Sequence, residues 1–158
     1  MHCRHCDTPL KHTFLDLGFA LPSHAYLTAV ALTQPEVYYP LKVRVCDQCW
    51  LVQTEDYTGA NTLFRPAYAY FSSTSISWLD YAARYAKKVI VAFGLNESSL
   101  VMEIASNDGY LLKNFVAADI PCLGIEPTAG KAAAAQKFGI PVLQKFFDEA
   151  LARSLAAQ

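Results

Sequence analysis

Beyond Leu100 the chain alternates short apolar runs with polar-faced segments. Leu100-Val-Met-Glu-Ile104 is a run of β-formers interrupted by one carboxylate, Glu103. The turn-forming Ala105-Ser-Asn-Asp-Gly109 follows, and then Tyr110-Leu-Leu-Lys-Asn-Phe115. This pattern predicts a buried strand, a tight loop and a helix. Apolar runs at 122–125 and 140–143 predict two more strands. Helices are expected at about 110–118, at about 129–138 where alanine dominates, and from the capping residue Asp148 onward. Right-handed crossovers set the second strand beside the first and the third beyond it, half of a doubly wound parallel sheet. No run remains for a fourth strand on the first strand's other flank, so one wall of the ligand crevice is expected to be absent.

Upstream, Ile76 to about Phe93 reads as a helix with Ile76, Leu79, Ala83, Ala86 and Ile90 near one face and Gly94 as its stop. A Ser or Thr within Ser72-Ser-Thr-Ser75 is expected to cap it. Tyr70, Phe71, Ser72 and Ser75 either border the loop at 105–109 or serve only as cap and aromatic packing. Earlier still, 13–17, 37–45 and 49–54 are strand-like, and Thr54–Ala60 is a polar linker. The expected organisation is a β-rich module over 1–58, a linker and helix over 59–98, and a partial α/β domain over 99–158.

Composition narrows the class. The chain has 158 residues, is 53% apolar and carries a formal charge of −1. That is enough apolar content for a core, and no basic field favours nucleic acid. No apolar run approaches membrane-spanning length, and the amino terminus lacks signal-peptide architecture. A reducing cytoplasm is the default, where cysteines are metal ligands or core residues rather than disulfides.

Four of the five cysteines form two knuckles, Cys3-x-x-Cys6 and Cys46-x-x-Cys49. Two thiolates from each of two tight turns complete a closed tetrahedral zinc site, structural because no position is left for water. His2 and His5 are read as second-rank or surface groups beside these thiolates, and His24 as a surface histidine. Cys122 is read as a small buried hydrophobe.

The loop at 105–109 restricts its ligand by what it lacks. A dinucleotide fingerprint needs several glycines so that backbone amides reach a pyrophosphate. Here one glycine, Gly109, stands between two carboxylates' reach, Glu103 and Asp108. Such acids repel phosphate and suit S-adenosylmethionine, which has an ammonium, a sulfonium and no phosphate. Glu126 ends the next strand about twenty residues on, where an acid can bond a ribose hydroxyl.

Taken together, these residues resemble the sugar C-methyltransferase family. The matching elements are Cys3-x-x-Cys6, Tyr39-Pro-Leu41, Cys46-x-x-Cys49, Leu51-Val-Gln53, Tyr70-Phe-Ser-Ser-x-Ser75, Ser77-Trp-Leu79, Glu103 through Leu112, and Gly124-Ile-Glu-Pro127. Tyr81 stands where the family pattern has a histidine. The resemblance implies a small zinc-binding module followed by the first half of a Rossmann-like class I methyltransferase domain. It further implies an amino-terminal portion of a longer enzyme, methylating a ring carbon of a keto-deoxy nucleotide sugar, with Glu103, Asp108, Gly109 and Glu126 as cofactor contacts. No catalytic base is assigned, and the portion is not expected to turn over substrate alone. The alternative is a non-enzymatic zinc-ribbon docking module that self-associates or pairs a partner at its open sheet edge.

Overall fold

The computed structural model describes residues 1–66 and 68–157. They form two compact units, Met1–Leu63 and Phe64–Gln158.

The first unit is an antiparallel sheet of β1 (His12–Ala20), β2 (Tyr39–Val45) and β3 (Val52–Thr54), in that order, followed by the short helix α1 (Ala60–Leu63). Val45 pairs with both His12 and Val52, so the sheet starts beside the second knuckle. Cross-strand polar pairs stitch it: Lys42 Nζ lies 3.0 Å from Asp16, and Arg44 bridges Thr13 and Glu55. Its centre is not apolar. Among the described residues of this unit, the buried ones are Cys3, Cys46 and Gln53. Every residue of β1 is exposed, Phe14 and Phe19 included.

The second unit is built on a parallel sheet, β4 (Val101–Ile104), β5 (Cys122–Ile125) and β6 (Val142–Leu143), paired in that order. Helix α2 (Ile76–Phe93) precedes it, while α3 (Lys113–Val116), α4 (Ala129–Gln136) and α5 (Glu149–Ala156) alternate with and follow the strands. The strand order matches the sequence expectation. Ser75 caps α2 by accepting from Trp78 N, and Gly94 ends it at φ +61°, a conformation that favours glycine. Asp148 caps α5 through Leu151 N. Leu112, Phe115, Ile120, Cys122, Ala135 and Ile140 form the core with Ala86 of α2.

Three expectations are corrected. Strand β4 is not buried: Met102 and Ile104 are exposed, because no described element covers that face or that edge. Helix α3 is a single turn, since Tyr110–Leu112 are taken up by the turn that leaves the loop. The buried stripe of α2 runs through Ala82 and Ala86, with Val89 and Ile90 beside it, while Ile76 and Ala83 face solvent. Small residues win those positions because α2 lies close over α3.

Gly109 is a packing glycine. A Cβ there would sit 2.5 Å from Ile140 Cδ1 and 3.1 Å from Ala135 Cβ, and its φ is +79°. Gly109→Ala combines overpacking with a left-handed penalty and is expected to cost about 3 kcal/mol. Chemical denaturation of the two proteins measures it.

Candidate functional site

In the first unit the two knuckles are copies of one turn. Cys3 N donates to Thr8 O and Asp7 N to Cys3 O; Cys46 N donates to Leu51 O and Trp50 N to Cys46 O, all within 2.9–3.1 Å. In each copy the residue after the second cysteine is left-handed, Asp7 at φ +59° and Trp50 at φ +64°. This turn aims two Sγ atoms at one point. Cys3 and Cys49 Sγ are 3.6 Å apart, as are Cys6 and Cys46 Sγ, and all four lie within 4.8 Å of one another. Zinc–sulfur bonds of about 2.3 Å at tetrahedral angles require sulfurs about 3.8 Å apart.

The donors around Cys3 and Cys6 favour thiolates, whereas at Cys49 the Leu51 amide is outweighed by burial and the neighbouring sulfurs, which push the thiol up to about 12. The backbone N–H of Cys6 holds the Cys3 thiol down to about 6, against the opposing pull of burial and helped by His5 and Gln53. The Thr8 hydroxyl and amide lower Cys6 likewise, and Gln48 N points to Cys46 Sγ at 3.4 Å. The four residues fit a closed tetrathiolate zinc site. His2 and His12 instead lie near Asp7 and Asp47, at 3.8 and 3.5 Å.

In the second unit the loop after β4 folds back on itself. Ser106 N donates to Ile125 O, Asn107 N to Glu126 Oε2, Asp108 N to Asn107 Oδ1 and Gly109 N to Ser106 O. These four amides are therefore engaged within the protein, leaving no ready cradle for phosphate. Close approach demands glycine at 124, where a Cβ would lie 2.6 Å from Ser106 Oγ. Ala105 and Asn107 take positive φ, +58° and +50°, and Asn tolerates this better than Ala.

The acceptors present the opposite picture. Glu103 Oε2 and Asp108 Oδ1 are buried with no hydrogen-bond partner. Burial, with the Asp108 charge adding to it, pushes the Glu103 carboxyl up to about 7, partly offset by a hydrogen bond with Tyr110. Asp108 uses its other oxygen to accept from Ser73 N at 3.1 Å and from the Ser73 hydroxyl at 2.5 Å. Glu126 accepts from Thr128 N at 2.9 Å and from its hydroxyl, as well as from Asn107 N. Both Thr128 donors use Glu126 Oε1, so it is Oε2, which accepts from Asn107 N, that retains a second lone pair.

A strap of residues 70–74 crosses this loop. Ser72 N donates to Asn107 Oδ1 at 3.1 Å, and Asn107 Nδ2 to Tyr70 O at 3.2 Å. Tyr70 lines a cavity of about 330 Å³ with Asn107, Glu126, Phe146 and Phe147. Phe71 instead stacks its ring 5.4 Å from the Lys131 ammonium. Ser75 is occupied as the α2 cap and lies off the cavity. Gly109 packs into the core, and neither it nor Glu103 nor Asp108 lines the cavity, whose wall includes Lys131 and Lys145.

Sequence reading overlooked three residues. Asn107 joins loop, strap and Glu126, and its position within Ser-Asn-Asp-Gly was the available signal. Ser73, second in the hydroxyl run, bonds Asp108. Lys131 is buried on the alanine-rich α4, where it donates to Tyr68 O at 2.7 Å and Thr128 Oγ1 at 3.1 Å. No pattern of residues marked it, since a lysine on a helix is ordinarily exposed.

Comparison with known proteins bears on the first unit most directly. Residues 3–64 match a family model described as "Putative zinc binding domain". Over 123 residues, 78% of this chain, the sequence is 27% identical to "C-methyltransferase NovU" of Streptomyces niveus. The alignment spans 29% of that relative's length. The two matches point the same way: the chain is similar over residues 3–64 to a zinc-binding domain and, over most of its length, to part of a C-methyltransferase.

Proposed function

We propose that the chain contributes a structural zinc module and an S-adenosylmethionine half-site to a C-methyltransferase acting on a keto-deoxy nucleotide sugar. One observation carries the reading: the loop has used its amide donors internally and kept unpaired carboxylate oxygens at Glu103 and Asp108. A site of that kind is completed by a cationic group and opposed by a phosphate. The substrate class rests on the family resemblance alone, and no residue of this chain is assigned as the base.

In this reading Glu126 in the cavity wall meets the ribose hydroxyls, while Glu103 and Asp108, with their unpaired oxygens buried behind that wall, favour the cofactor's ammonium through their charge. Ile125, Pro127, Phe146 and Phe147 offer apolar walls to the adenine, and Tyr70 with Asn107 closes the cavity from the strap. The bound cofactor supplies an electrophilic methyl group. The protein's part is to orient the cofactor and keep water from it.

Titration calorimetry tests the proposal. Heat with millimolar S-adenosylmethionine or S-adenosylhomocysteine, and none with NAD, is the expected result. Binding of NAD with exclusion of the sulfur compounds refutes it. The bare edge of β4 favours a second reading, a docking module that pairs another chain there. The same titration separates the two, because a docking module gives no cofactor heat.

A further inference from the structure

We infer that Gln53 is a positioning residue of the metal centre, holding the Cys3 thiolate through an N–H···S bond and tying it to the first knuckle's backbone. The inference rests on the reading of the four cysteines as a zinc site. Gln53 is one of the three buried residues in its unit, only 6% exposed, and its companions Cys3 and Cys46 are both ligands. A glutamine is rarely buried without a role for both ends of its amide. Here Nε2 donates to Cys3 Sγ at 3.3 Å while Oε1 accepts from Arg4 N at 3.1 Å. The amide has one workable orientation, because Arg4 N can only donate and a thiolate can only accept.

Its place in the fold explains why β3 matters to the metal. Gln53 is the middle residue of β3, which pairs with the end of β2 just before Cys46. The strand and the residues just after it grip the first knuckle a second time, since the Arg4 guanidinium donates to Thr54 O at 2.7 Å and to Asp56 at 2.6 Å. Knuckles that lie far apart in sequence are thus joined by protein contacts as well as through the metal.

Four thiolates around a divalent ion leave two negative charges in a protected site, and donors to sulfur spread that charge. The other sulfurs take their donors from within their own turns, as with Thr8 for Cys6 and Gln48 N for Cys46. Gln53 reaches in from outside the turns. A side-chain donor can be removed by mutation without disturbing the turn, which makes the role testable.

Two variants of the full chain separate positioning from simple structural support. Gln53→Met keeps length and removes both bonds. Gln53→Glu keeps the acceptor for Arg4 N but replaces the donor with a charge that repels the thiolate. Zinc affinity is measured by competition with a chromophoric chelator. The sulfur-to-metal charge-transfer band is read on protein loaded with cobalt. Both variants are expected to lose about ten- to a hundredfold in affinity, with the band moved to longer wavelength. Wild-type affinity and an unmoved band in Gln53→Glu overturn the role. If that variant does not fold, Gln53→Met decides by the same two readings. Failure of the wild-type protein to bind zinc or cobalt refutes the metal site itself, a separate outcome.

Discussion

Cys46→Ser abolishes the fold of residues 1–63, while Cys122→Ser lowers the stability of the second unit by only about 1–2 kcal/mol. The contrast follows from what each thiol does. Cys46 is fully buried at the meeting point of the four sulfurs, in a unit whose described buried residues are two cysteines and a glutamine. With so little apolar burial, the free energy of metal binding, on the order of 10 kcal/mol in structural zinc sites, has to replace a core. Cys122 sits among Leu112, Phe115 and Ile140 and donates to Ile120 O at 3.1 Å, a bond that a serine hydroxyl can reproduce. Protein purified without added metal should contain about one zinc per chain. A strong chelator should make residues 1–63 susceptible to protease while the second unit stays resistant. An intact first unit with no metal present overturns the assignment.

The second large effect is a dependence on pH that a ligand should reverse. Burial, with the Asp108 charge beside it, raises the Glu103 carboxyl from 4.5 to about 7. The unfolded chain then loses its proton at lower pH than the folded one. Stability from this group is present in full below about pH 4.5 and is lost as pH rises through about 7. Between about pH 6 and about pH 8, where zinc stays bound, the second unit should lose about 1 kcal/mol. Glu103→Gln should flatten that slope and raise the melting temperature of the ligand-free protein at the alkaline end. On the proposed cofactor reading, the same substitution should weaken S-adenosylmethionine binding at least about tenfold, because a buried acid behind the cavity becomes an uncharged amide. Calorimetric melting of both proteins across this range checks the slope, and titration checks the binding. An unchanged slope in the variant would show that Glu103 does not carry the effect.

Some of this was written in local pattern. The spacing of the knuckles announced a metal site before any strand was placed, because two residues between cysteines is what a tight turn needs to aim both sulfurs at one ion. The extent of α2, its Ser75 cap and its Gly94 stop were equally legible, since capping depends on neighbours within one turn. The parallel order β4, β5, β6 followed from alternation and crossover handedness. Glu103 was visible as an acid inside an apolar run, Asp108 in the turn after it and Glu126 at the end of the next run.

Other features depend on distances that no local pattern encodes. Alanine at 135 reads as helix propensity, yet Gly109 of the loop approaches it to the point where an added methyl would clash. Glycine at 109 reads as a turn, yet its fit against Ile140 makes it part of the core. Asn107, Ser73 and Lys131 acquire their roles from partners more than thirty residues away in the chain, Ser72, Asp108 and Tyr68 respectively. Gln53 reads as one polar residue in a strand, and only the folding of β3 against the first knuckle carries its amide to Cys3. Sequence alone determined the metal-binding chemistry of the two knuckles, because ligand type and turn geometry are properties of short segments. Tertiary structure decided which donors were already engaged and which acceptors were left open, because hydrogen bonds between distant segments form only once the chain has packed.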